Sequence, residues 1–257
     1  MTVMTHEFSR ETFNAMRPKE VAPHLLGPGG EIQRLIYTQQ FDRDALEHLI
    51  RLAEFIRSQW NDVKQMKYMH QLLAHRSCLL YFPQCSTRTF TSFSVAVQTL
   101  GMVTEEIRDP ELSSMYKGES ELDTLLTLAH LSDLIVLRQM DGELAHQFAY
   151  ELLARNMDTR IINGGSGADA HPTQALLEMY TLSAYLDLER VDRNYTIAMV
   201  GDLKRSRTAR SLSYLLALYP QINQVFVAPD ELQMEEDIAE YLDENAVSYR
   251  RTDNLEE

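Results

Sequence analysis

Three short segments bring hydroxyl, guanidinium and imidazole groups to points where an apolar run turns into a helical one. Ser86-Thr87-Arg88-Thr89 follows the apolar run Ser77 to Phe82 and opens a helix expected over 87–100. The free amides of a first helical turn and the helix dipole favour an anion there. Three hydroxyls add donors, and Arg88 adds a planar fork matched to phosphate oxygens. His171-Pro172-Thr173-Gln174 follows a strand-like run, Arg160 to Asn163, and the turn Gly164-Gly165-Ser166-Gly167. That is the carboxyl end of a strand, where open α/β sheets hold ligands. The third segment, Gly201-Asp202-Leu203-Lys204-Arg205-Ser206-Arg207-Thr208, gathers Lys204, Arg205, Arg207 and Arg210 at another helix start, suited to a second anion. Each segment also has a plainer reading. Ser86 can simply cap its helix, His171 can be structural, and the basic turn can be solvated.

The elements that must position these groups alternate between strand and helix. Leu46, Leu49, Ala53 and Ile56 recur at helical spacing after Asp42. A strand is expected at 77–82, a short apolar run typical of a buried parallel strand, with a weaker one at 102–107 and others at 134–137, 160–163, 195–200 and 224–227. Helices are expected at 87–100, with the stripe Phe90, Phe93, Val97 and Leu100, and at 122–131, 143–155, 172–186, 207–219 and 231–242. Pro172 suits a first helical position, and Gly101 suits a C-terminal cap. This alternation predicts an α/β chain of two parallel-sheet lobes. Residues 1–33, with Pro18, Pro23 and Gly27-Pro28-Gly29-Gly30, are expected to form an irregular arm. The first lobe is expected over 34–170 and the second over 171–257.

Composition narrows the chemistry. The 257 residues, 44% hydrophobic, suffice for one or two domains with cores. A formal net charge of −14 argues against a broad nucleic-acid footprint and a basic membrane face. An anionic substrate therefore needs a local cluster of cations. Cys78 and Cys85 make no disulfide framework and, with no zinc-like Cys/His spacing, point to two reduced thiols. No segment has the ~18 apolar residues of a membrane span. The N-terminus has no apolar signal core, and Glu7, Glu11 and Glu20 count against an organelle presequence. A cytoplasmic location is the expectation.

Taken together, in this order and spacing, Ser-Thr-Arg-Thr, His-Pro-Thr-Gln and Gly-Asp-Leu-Lys-x-x-Arg resemble the aspartate/ornithine carbamoyltransferase family, from about Arg34 to the end. Ser113-Ser114-Met115-Tyr116-Lys117-Gly118-Glu119 is similar to the family's mobile loop, which reaches into a neighbouring subunit's site. Arg138, after the run Leu134 to Leu137, matches the family's carbonyl-binding Arg. The Gly-Asp-Leu-Lys form of the third motif is similar to the aspartate branch. The resemblance implies transfer of the carbamoyl group of carbamoyl phosphate to L-aspartate, a step of pyrimidine synthesis, with neither cofactor nor metal. It further implies that Ser86, Thr87, Arg88 and Thr89 bind phosphate, and that Thr89, Arg138 and His171 contact the carbonyl oxygen. Gln174 would orient the carbamoyl NH2, while Arg207, beside Lys204 in the third motif, would take an aspartate carboxylate. Ser113 and Lys117 would arrive from the adjacent subunit of a homotrimer with shared sites. A regulatory or dihydroorotase partner is the wider assembly that the resemblance suggests.

The sequence also departs from the family pattern. Phe90 stands where many members carry a second Arg, Gln139-Met140 follows Arg138 where His-Pro is frequent, and Ser206 replaces a common Gly. The second lobe contains neither the Arg-x-Gln segment nor the His-Pro-Leu-Pro loop of the family. The expectation is therefore a second lobe shorter than usual. Two alternatives stay open: a non-catalytic paralogue that binds carbamoyl phosphate or pairs with full-length subunits, and a carbamoyltransferase for another amino acid such as ornithine.

Overall fold

The computed structural model describes residues 9–108, 118–167, 170–190 and 192–255. The chain forms two compact units, one of residues 1–36 and 56–167, the other of 37–55 and 168–257.

In the first unit the strands are β1 (Arg34–Leu35), β2 (Ser77–Tyr81), β3 (Val103–Ile107), β4 (Leu134–Gln139) and β5 (Arg160–Ser166). They pair throughout in parallel, in the order β1-β5-β4-β2-β3. The inner strands are apolar because both faces are covered. Leu79, Leu80 and Tyr81 of β2 and Ile135, Val136 and Leu137 of β4 are all buried. β3 is an edge, and it keeps Glu105 and Glu106 exposed, a charge pattern that discourages further strand pairing. The helices here are α1 (Arg10–Ala15), α2 (Pro18–Val21), the end of α3 (Arg43–Gln59), α4 (Val63–Leu72), α5 (Thr87–Thr99), α6 (Glu121–Ala129) and α7 (Gly142–Ala154). Val97 of α5, flanked by Phe90, Phe93 and Leu100, packs on Leu80, Phe82 and Val136, which fulfils the expected stripe.

The arm differs from expectation over its described part. Phe13 of α1 is buried against the rings of His146 and Tyr150 on α7, at 4.7 and 5.2 Å between centroids. Nε2 of His146 lies 3.1 Å from the Phe13 carbonyl oxygen. The turn residues that suggested irregularity separate short helices; Ser9 caps the first and Pro18 opens the second.

In the second unit β6 (Tyr195–Val200), β7 (Ile222–Val227) and β8 (Tyr249–Thr252) pair in parallel in chain order. They are accompanied by α8 (Pro172–Ser183), α9 (Arg207–Leu216), α10 (Glu236–Glu244) and the first part of α3. Leu215 and Leu216 of α9, Phe226 of β7, and Ile238 and Leu242 of α10 form its buried centre. The pair Ser213–Gln224 is buried and satisfied: the Ser213 hydroxyl donates to Gln224 Oε1 (2.6 Å), and Gln224 Nε2 donates to the Ser213 carbonyl (3.1 Å). The last helix begins five residues later than expected. Gln233 is in extended backbone, and its amide donates to the carbonyls of Phe226 and Ala228. Residues 37–55, expected in the first lobe, cluster with the second unit, so the boundary falls inside α3.

Candidate anion-binding site

In the first unit the chain passes from β2 to β3 on one side and then to β4 on the other. This reversal makes a switch point between β2 and β4, and the carboxyl edge of such a point is where open parallel sheets bind ligands. The Ser86–Thr89 turn and Arg138 both lie at that edge. Tyr81, the last residue of β2, pairs with Leu137, the residue before Arg138.

Ser86 is the N-cap of α5 in extended backbone (φ −156°, ψ 97°), yet its hydroxyl makes no capping bond. The first turn carries no acidic residue, and Thr87 and Arg88 are exposed. The other long helices begin differently. Asp42, Asp62, Ser120, Asp141 and Ser206 accept first-turn amides of α3, α4, α6, α7 and α9, and α10 opens with Glu236 and Asp237. Among the described helices of nine residues or more, only α5 and α8 lack both a side-chain cap and a first-turn acid. These are the helices that open with Ser-Thr-Arg-Thr and, just after His171, with Pro-Thr-Gln. Among the described residues, no side-chain cap or first-turn acid matches their N-terminal positive potential.

Arg138 is buried, with 7% exposure. Its Nη1 donates to the Gly164 carbonyl at 3.1 Å. The β4–β5 register shifts at this point, with Leu137 opposite Asn163 but Gln139 opposite Ser166. β5 therefore bulges at its two glycines, and Gly165 takes a φ of +119° that side chains rarely adopt. Asn163 holds the bulge by accepting from the Gly165 amide (2.9 Å) and donating to Ser166 Oγ (2.9 Å). The bulge is thus the device that presents a carbonyl to the guanidinium.

Sequence reading missed a second layer behind this arginine. Glu121, the first residue of α6, accepts from the Tyr81 hydroxyl (2.8 Å) and from the Gln139 side-chain amide. Burial, with the Glu121 carboxylate beside it, raises the Tyr81 phenol well above its ordinary range. The signal available in sequence was slight: a Ser120-Glu121 helix start forty residues from its partner. Gln139 also accepts from the Met140 amide (2.5 Å), so the departure at 139–140 is absorbed into this network.

In the second unit His171 is buried, with 6% exposure, and precedes α8 without capping it through its side chain. Its amide donates to Ser211 Oγ of α9 (3.2 Å), and Nδ1 lies 3.4 Å from the Thr173 hydroxyl. Gln174 donates its amide N–H to Glu178 Oε1 (3.1 Å), which leaves Oε1 of Gln174 as the acceptor end. Burial raises the Glu178 carboxyl, and the Gln174 bond acts in the opposite sense. Arg207 is the first residue of α9, one turn before the Ser211 that meets His171. The basic segment is more neutralised than its sequence suggests. Lys204 pairs with Glu235 (3.5 Å), Arg205 with Asp202 (3.2 Å), and Arg210 with Asp237 through two bonds (3.1 and 2.5 Å). Ser206 caps α9 by accepting from the Ala209 amide. An anion arriving there competes with three carboxylates. Ser113 and Lys117 lie outside the described residues. Among the described residues, no group of three His, Cys, Asp or Glu side chains is gathered to hold a metal ion, and no helix is long and apolar enough to cross a membrane.

A parallel sheet with an open helix N-terminus at its switch point, and an arginine on the neighbouring strand, makes this an α/β module with a candidate anion site. Residues 33–184 match the family model described as aspartate/ornithine carbamoyltransferase, carbamoyl-P binding domain, and the chain belongs to this family. It is 36% identical over 225 residues to the chloroplastic aspartate carbamoyltransferase of Oryza sativa, covering 86% of this chain and 59% of the relative. It is 36% identical over 228 residues to the aspartate carbamoyltransferase catalytic subunit of Methanosarcina acetivorans, covering 88% of this chain and 68% of that one. A crystal structure of Trypanosoma cruzi aspartate transcarbamoylase with carbamoyl phosphate and aspartate matches with a TM-score of 0.74 at 34% identity, covering 91% of this chain and 73% of that one. The chain thus spans 59% of the length of its rice relative.

Proposed function

We propose that this chain transfers the carbamoyl group of carbamoyl phosphate to L-aspartate, giving N-carbamoyl-L-aspartate and phosphate, a step of pyrimidine synthesis. The observation that carries the reading is the uncapped, acid-free N-terminus of α5, with Arg138 on the neighbouring strand at the same edge of the β2/β4 switch point. Three hydroxyls and an exposed Arg88 in that turn suit the phosphate dianion, and Arg88 would offset the charge of the leaving group. Thr89, Arg138 and His171 would polarise the carbonyl and stabilise the oxyanion formed when the amine attacks. Gln174, with its oxygen as the acceptor end, would hold the carbamoyl NH2. Arg207, with Lys204 nearby in sequence, would take an aspartate carboxylate. In this reading the carbamoyl-phosphate domain is 34–170 less residues 37–55, and the aspartate domain is 171–257 together with them.

The resemblance extends the reading to a homotrimer in which Ser113 and Lys117 serve a neighbour's site, and to a regulatory or dihydroorotase partner. Two free cysteines, Cys78 and Cys85, suit a reducing, cytoplasmic setting.

The test is product formation from carbamoyl phosphate with aspartate or ornithine as acceptor. Carbamoyl-aspartate made by this chain supports the proposal. Citrulline made in its place moves it to the ornithine branch. Carbamoyl phosphate binding without turnover favours the non-catalytic alternative. Mixing Arg88→Ala with Lys117→Ala chains should restore part of the activity if sites are shared, and no recovery would contradict sharing.

A further inference from the structure

We propose that Arg108 is a further phosphate-binding guanidinium of the first unit, held in place by Phe90; this rests on reading the α5 N-terminus as the carbamoyl-phosphate site. Arg108 leaves β3 at the same edge as the candidate turn. Ile107, just before it, pairs with Tyr81, and the Ile107 carbonyl accepts the Phe82 amide at 2.8 Å. From there the Arg108 guanidinium carbon lies 4.4 Å from the centre of the Phe90 ring. Phe90 is in the first turn of α5, two residues beyond Arg88, and its ring is fixed edge-on against Phe82 at 5.4 Å and 86°. The guanidinium therefore lies against a ring that belongs to the first turn of α5.

The manner of holding matters. A guanidinium held over an aromatic ring instead of against a carboxylate keeps available the N–H edge that grips phosphate in a fork. A carboxylate partner would occupy the same edge and cancel the charge. Among the described residues Arg108 makes no ion pair, unlike Lys204, Arg205 and Arg210. In a chain with 38 acidic and 24 basic residues, an exposed arginine with no described ion pair, lying over an aromatic ring at an open helix start, is a placed charge. A doubly charged phosphate needs more than one cation, and Arg108 adds to Arg88.

The experiment is calorimetric titration of the full chain with inorganic phosphate, and separately with carbamoyl phosphate, for the wild type, Arg108→Gln, Arg108→Lys and Phe90→Leu. A lost charge-assisted bond of this kind weakens binding about tenfold or more, so Arg108→Gln is expected to raise both dissociation constants by that factor. Arg108→Lys should recover part of the loss. Phe90→Leu removes the platform but keeps the apolar bulk and should weaken binding roughly two- to fivefold. The melting temperature without ligand should stay at the wild-type value in Arg108→Gln, because the residue is exposed. Phosphate binding by Arg108→Gln within twofold of a binding-competent wild type overturns the assignment while leaving the site intact. So does a loss that tracks a fall in unliganded stability. A wild type that binds neither anion removes the site itself, and Arg108's role with it.

Discussion

Replacing Ser86 by alanine separates a donor reserved for an anion from an ordinary helix cap. An N-cap serine that accepts a first-turn amide contributes typically about 1 kcal/mol, and alanine forfeits it. Ser120 is such a residue: its hydroxyl accepts from the Asp123 amide at 3.1 Å at the start of α6. Ser86 occupies the same position on α5 and accepts no amide. Both residues belong to the first unit, so both variants report on one unfolding transition. Ser120→Ala should lower the urea midpoint by the equivalent of about 1 kcal/mol at unchanged slope. Ser86→Ala should lower it by less than about 0.5 kcal/mol, the usual range for surface changes away from special features. Phosphate affinity should respond the other way round. A hydroxyl donating to a charged oxygen contributes about 1.5–3 kcal/mol, so Ser86→Ala should weaken binding by about tenfold or more, with Ser120→Ala near wild type. Equal destabilisation by the two substitutions, with phosphate affinity unchanged in both, would refute the argument and return Ser86 to a capping role.

Two further outcomes test the packing around the site. His146 is buried against Phe13, and burial lowers its pKa below the ordinary 6.5. The unfolded chain therefore takes up a proton first, and stability should be full above about pH 6.5 and fall as the pH drops below it. His146→Gln, which keeps a donor toward the Phe13 carbonyl, should flatten that slope in urea titrations between about pH 5 and 6.5; an unchanged slope would locate the titration elsewhere. The Tyr219 hydroxyl is fully buried with no hydrogen-bond partner among the described residues. Tyr219→Phe should therefore be neutral or stabilising by about 1 kcal/mol, since it removes an unsatisfied polar atom at almost constant shape; a clear loss of melting temperature would contradict this.

Much of the architecture was legible in the sequence because burial on both faces writes strands as unbroken apolar runs. Ser77–Tyr81 and Leu134–Gln139 appear where those runs stand. What was illegible lies where burial is partial. Helix α4 buries Met69 but exposes Val63, Tyr68 and Leu72, so its apolar stripe is diluted. Strand β8 reads Tyr-Arg-Arg-Thr and owes its place to pairing with β7, with Arg251 turned to the Glu236 carboxylate. At the candidate site the types and order of Ser86–Thr89, Arg138 and His171 were legible, because motif spacing survives in one dimension. Whether Ser86 caps its helix, whether the cations of 204–210 are already paired, and that Glu121 ties Tyr81 to Gln139 depend on contacts between distant residues. Arg108 escaped notice for the same reason, since its significance lies in the ring of Phe90, eighteen positions earlier in the chain.

The most direct test of the central claim is a titration of carbamoyl phosphate into the wild-type chain and into Arg88→Ala, in the absence of aspartate. Saturable binding by the wild type, weakened about tenfold to a hundredfold when the exposed guanidinium at the α5 start is removed, is the expected result. Equal affinity in the two chains, or no binding to the wild type, would contradict the assignment of that helix start as the place where the acyl phosphate is held.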